Sequence, residues 1–82
     1  MRTILLGFRA GRHPMGNDGL MFTDYVAPWR LRRQAADFAR SARLDQVYIL
    51  RRPLYDPLYN SMDALEYART FGNILYNKES EQ

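Results

Sequence analysis

Two prolines four residues apart constrain this chain more than any other feature. Pro53 and Pro57 stand in the stretch RRPLYDPLYN, residues 51–60, which repeats Pro-Leu-Tyr behind a pair of arginines. Each proline fixes φ near −65° and removes a backbone donor, so no helix runs through the segment. A polyproline-like path rises about 3.1 Å per residue, so the stretch reaches roughly 30 Å. That is enough to return alongside a helix of ~24 Å. The stretch therefore reads as an extended strap. It would lie either on the chain's own helices or in a groove of a neighbour, presenting Tyr55 and Tyr59 with Arg51 and Arg52.

Helical periodicity appears on both sides of the strap. From Pro28 to about Leu44, the residues Leu31, Ala35, Phe38 and Ala42 recur at helical spacing on one stripe. Pro28 suits a first helical turn, where its missing N–H has no partner in any case. From about Ser61 to Tyr76, the stripe is Ala64, Ala68, Phe71 and Leu75, with Asp63 and Glu66 at the positive end of the dipole. Gly72 weakens this second helix modestly. Set antiparallel, the stripes oppose each Phe to an Ala, which is the large-against-small fit of close helix packing. The expected fold class is mostly α: two short amphipathic helices, about 28–44 and 61–76, packed antiparallel and joined by the strap.

Residues 1–27 read as an extended arm with a Gly-rich loop, residues 28–76 as the helix–strap–helix unit, and 77–82 as a polar tail. The loop GRHPMGNDG, residues 11–19, has turn chemistry. Its Gly11-to-Gly16 spacing matches a phosphate-binding loop, but Asn17 and Asp18 stand where Lys and Ser or Thr are needed. LMFTDYVA, residues 20–27, reads as a connector. The apolar runs ILLGF and VYIL fall far short of the ~20 residues that cross a bilayer. Arg2, Arg9 and Arg12, with no acid before Asp18, give the start of the chain the look of an uncleaved import signal.

The chemistry points to binding. There is no cysteine, and His13 is the sole histidine, without a partner at metal-ligand spacing. No serine, histidine and aspartate share a catalytic pattern. The expectation is that the chain is not an enzyme and has no catalytic, cofactor-binding or metal-binding residues. Residues 1–52 carry ten arginines against four aspartates, a net +6, whereas 53–82 carry −3. Eleven of the twelve basic residues are arginine, the planar, weakly hydrated cation suited to interfaces. The run WRLRRQAADFARSAR sets Trp29 and several arginines off the apolar stripe. Aromatics make up 13% of the chain, six of them tyrosine, and Tyr, Trp and Arg are the types enriched at interface centres. The partner-binding residues expected are Trp29, Arg30, Arg33, Arg40, Arg51, Arg52, Tyr55 and Tyr59.

At this size a monomer buries roughly 60–65% of its unfolded surface, a marginal interior. In composition the chain is similar to the supernumerary subunits of large organellar assemblies: small, rich in Arg and Tyr, cysteine-free, with short helices and Pro-bearing straps. That resemblance implies a non-catalytic accessory subunit, mitochondrial and peripheral to a membrane complex such as the respiratory chain or ATP synthase. Its partners would be protein subunits, with anionic lipid headgroups as an accessory contact of the Arg-rich helix. The alternative is an RNA-contacting protein of a ribosome-like particle.

Overall fold

Leu5 and Leu6 are adjacent and both are buried. Successive side chains of a strand point to opposite faces, so this pair requires cover on both sides of one sheet. The chain supplies it. In the computed structural model, which describes residues 2–11, 16–24, 27–52 and 63–80, the elements run β1 (Arg2–Phe8), β2 (Gly19–Thr23), α1 (Pro28–Ala42), β3 (Gln46–Arg52), α2 (Ala64–Phe71) and β4 (Asn73–Asn77). A short 3-10 turn follows at Lys78–Ser80. The strands form one sheet in the order β2-β1-β3-β4, and every neighbouring pair is antiparallel.

Each face of the sheet has its own buried cluster. On one side Leu5 and Val47 pack with Ala35, Ala39 and Leu44, with Met21, Phe38, Leu75 and Tyr76 around them. On the other, Leu6, Phe8, Tyr48 and Leu50 pack with Ala64, Tyr67 and Ala68, and the Phe8 and Tyr48 rings meet edge to face at 5.8 Å. Helix α1 therefore covers one face and α2 the other. A register shift in the β3–β4 pair, where Val47 lies opposite Tyr76 but Tyr48 opposite Ile74, inserts Leu75 as an extra residue. Leu75 and Tyr76 thereby both join the α1 side, as a β-bulge allows. The Cα radius of gyration is 11.9 Å, close to the ~11.7 Å of a compact chain of this length.

The mostly helical hairpin is thus replaced by an antiparallel sheet between two helices. The stretch read as an extended arm contributes β1, a central strand, and β2, an edge strand. Phe38 and Phe71 do not meet. Phe38 packs in the α1 cluster, while Phe71 is partly exposed and leans on Tyr67 at 5.0 Å. The second helix ends at Phe71, and residues expected to continue it form β4. Gly72 is the reason. A Cβ there would lie 2.5 Å from the Ile49 carbonyl oxygen and 2.9 Å from that of Ala68, so the chain presses against β3 at a point where only glycine fits. The interior that the sequence reading found marginal is supplied by the apolar sheet itself. The strap core, residues 53–60, lies outside the described residues.

Helix α1 is closed at its C-terminus by a side chain from β1's exit. Arg43 adopts the left-handed conformation, φ 56°. Arg9 then donates from Nη2 to the Ala42 carbonyl at 2.7 Å and from Nε to that of Arg43 at 3.1 Å. A cation at the negative end of the helix dipole is favourable there. The neighbouring turn is latched by Asp45, whose Oδ2 accepts the Ala10 N–H at 2.6 Å. Arg9→Met keeps the stem and removes the donors, so it should lower stability by about 1 kcal/mol, read as a reduced urea midpoint with an unchanged slope. A midpoint equal to wild type would show that water replaces the cap without cost.

Candidate docking face and cleft

The 3.6-residue period divides α1 cleanly. Leu31, Ala35 and Ala39 are buried on the sheet, and Gln34 is tied to β2 by the Thr23 hydroxyl, which donates to its Oε1 at 2.8 Å. Trp29, Arg33 and Arg40 follow one another along the opposite side, and all three are exposed. Trp29 retains 61% of its surface. The guanidinium over its ring is that of Arg30, 5.3 Å from the centroid, a cation–π contact. Arg40 pairs with Asp37 at 2.9 Å, and both side chains are largely in solvent.

The first turn of α1 carries Arg30 without a compensating acid. It holds no acidic residue, and Ala27 at the N-cap offers no side-chain acceptor. Arg30, Arg32 and Arg33 all lie in the N-terminal half, near the positive end of the dipole, where cations are unfavourable. The ion pairs of Arg40 with Asp37 and of Lys78 with Asp45 leave these three aside.

The expected partner-binding residues divide accordingly. Trp29, Arg30, Arg33 and Arg40 share α1. Arg51 is exposed on β3, opposite Thr3, which in turn lies opposite Thr23, so the three form one cross-strand row. Arg52 enters only through its backbone, opposite Arg2; its side chain, Tyr55 and Tyr59 lie outside the described residues, as does His13. Among the described residues no three of His, Cys, Asp and Glu come together as a metal site, and no helix is long and apolar enough to cross a membrane.

Sequence reasoning missed a cleft of about 540 Å³ at the other end of α1. Its described lining comes from four separate stretches: Phe8 and the turn after it, Asp45 and Gln46, Asp63 and Leu65, and Asn77 to Glu79. Leu65 is half-buried at its wall, and Phe8, 2% exposed, lies beneath it. Asp45, Asp63 and Glu79 supply carboxylates. Two cations line it as well. The guanidinium of Arg9 is turned to the α1 carbonyls, and Lys78 Nζ stands 3.9 Å from Asp45 Oδ1. No short-range pattern links these four stretches, so only the tertiary fold reveals the site. Its described lining holds no hydroxyl, thiol or imidazole side chain.

Comparison with family models, curated proteins and solved structures finds no match for this chain.

Proposed function

We propose that the chain is a non-catalytic accessory subunit that docks on a neighbouring protein through the outer face of α1. The observation that carries this reading is the bare basic end of that helix, an exposed Trp29 among arginines with no carboxylate in the first turn. In the isolated chain the arrangement is unfavourable: like charges at i and i+3 repel, and each cation opposes the dipole. Against a carboxylate-bearing surface the same groups become favourable, and Trp and Arg are the residues that most often dominate interface energy. The compact core supports a ready-made docking surface, with little ordering cost at the moment of binding. The host we favour remains a mitochondrial membrane complex, with the chain peripheral to it, a preference that rests on composition alone. Anionic headgroups beside such a complex would be accessory contacts.

One observation favours RNA as a second reading. An exposed indole flanked by guanidiniums is also a platform for a stacked base, with cations for the adjoining phosphates.

Sedimentation of the tagged chain from its own cells separates the two. The expected result is migration with a particle far larger than 9.7 kDa, unchanged by RNase, with at least a tenfold loss of that fraction in Trp29→Ala/Arg33→Glu. Release by RNase, together with a steep loss of affinity with log salt, would establish the RNA reading. Migration of wild type as free chain would remove both.

A further inference from the structure

The two edges of the sheet are guarded differently. β4 carries the bulge at Leu75, a distortion that protects an edge from further pairing. β2, GLMFT, has no charge and no proline, pairs with β1 in unbroken register, and among the described residues no strand lies beyond it. We infer that β2 pairs edge to edge with β2 of a second copy, antiparallel and centred on Met21, so that two four-stranded sheets become one continuous sheet in a closed dimer. This goes beyond the docking reading, and it leaves the outer face of α1 to the host.

The hydrogen-bond phase of the sheet carries the inference. The Gly7 carbonyl accepts the Asp18 N–H at 2.8 Å and so faces β2, whereas the Phe8 carbonyl accepts the Asp45 N–H at 2.9 Å and faces β3. Successive residues of a strand turn their backbone groups to opposite edges, so Thr3, Leu5 and Gly7 bond to β2. Their partners Thr23, Met21 and Gly19 therefore face inward, and Leu20 and Phe22 direct N–H and C=O groups outward. The side chains of these same two residues lie opposite Leu6 and Ile4, on the α2 side of the sheet. Helix α2 packs over β3 and β4, and Leu20 and Phe22 keep 45% and 48% of their surface.

The edge is complementary to itself. Pairing centred on Met21 sets Leu20 opposite Phe22 of the second copy, and Phe22 opposite its Leu20, so each outward donor meets an outward acceptor. The same register aligns two Leu–Phe cross-strand pairs in one apolar row on the α2 side, the kind of pair that stabilises a sheet. The contact uses the same strand in both copies, so it is isologous and ends at the dimer. Five residues a side are far fewer than the ~20–30 of a standard interface, so the association is weak and concentration-dependent. Its cost lies at the ends, where Asp18 stands opposite Asp24 of the second copy, and salt screens that repulsion.

The test is sedimentation and amide exchange of the purified chain from about 10 μM to about 1 mM, a span that brackets weak dissociation constants. Wild type should pass from monomer to dimer and no further, more readily as salt rises. Over the same span the Leu20 and Phe22 amides should slow in exchange at least tenfold, a readout that needs no variant to fold. Leu20→Pro removes only an outward donor, at a place where an edge strand accepts proline, and Phe22→Lys sets a charge on the edge. Each should dimerise at least tenfold more weakly, whereas Trp29→Ala should dimerise like wild type. A wild-type chain that stays monomeric at the highest concentration overturns the inference. So does a dimer that Trp29→Ala abolishes and Leu20→Pro leaves intact. A Leu20 amide already protected in the dilute monomer overturns it as well, since the chain would then cover this edge itself. None of these results touches the α1 docking reading, which is judged by the large particle alone.

Discussion

Leu5→Ala should lower stability by about 2–5 kcal/mol, a large part of the roughly 4–12 kcal/mol available to a domain of this length. Leu5 has no exposed surface and sits on a central strand against Ala35, Ala39, Leu44 and Val47. Truncation leaves a void between sheet and helix that neither can fill, since the strand is held by pairs on both sides. Phe71→Ala removes a larger side chain from a position that is 36% exposed, and should cost about 1 kcal/mol, mainly its contact with Tyr67. The order of the two effects is diagnostic. In a helical hairpin with a free N-terminal arm, residue 5 would be nearly silent and residue 71 would be central. Urea titration of both variants measures the order, and a Leu5 variant as stable as wild type would exclude the sheet.

That reversal shows where the sequence was legible. The period of α1 could be read because one face is buried and the other is in water, which is the condition for a 3.6-residue signal. Trp29, falling off the apolar stripe, could be read as outward-facing for the same reason. β1 and β3 gave no period at all. Ile4-Leu5-Leu6 and Val47-Tyr48-Ile49-Leu50 meet helices on both faces, and strands buried on both sides lose the apolar–polar alternation that identifies them. Two such runs in a chain this short called for a sheet with a helix on each side, and that arithmetic was the missing step. The stripe from Ala64 to Leu75 misled differently. Ala64 and Ala68 belong to α2 and Leu75 to a bulged strand, so one helical spacing spanned two elements. The cleft had no signal in any window, because the stretches that line it come together only after the chain has folded.

Gly72 is where the two architectures differ in sign. Within a helix running 61–76, Gly72→Ala would stabilise by as much as about 1 kcal/mol, since alanine restricts the unfolded chain and favours helix. In the sheet it should destabilise by about 3 kcal/mol, the upper end of overpacking costs. The added carbon would meet the Ile49 oxygen at 2.5 Å, the Ala68 oxygen at 2.9 Å and Leu50 Cγ at 2.9 Å. Two of these are backbone atoms, one in a central strand and one in the turn that ends α2, where the Gly72 N–H donates to the Ala68 carbonyl at 2.8 Å. Neither can withdraw without loosening β3 from β4 or unwinding the helix end. Relief of the clash would separate β4 from β3, so amide exchange should quicken first across the Tyr48–Ile74 and Ile49–Asn73 pairs and leave β1 with β2 protected longest. A Gly72→Ala chain that melts above wild type would return residues 61–76 to a single helix, and with it the second face of the sheet would lose its cover.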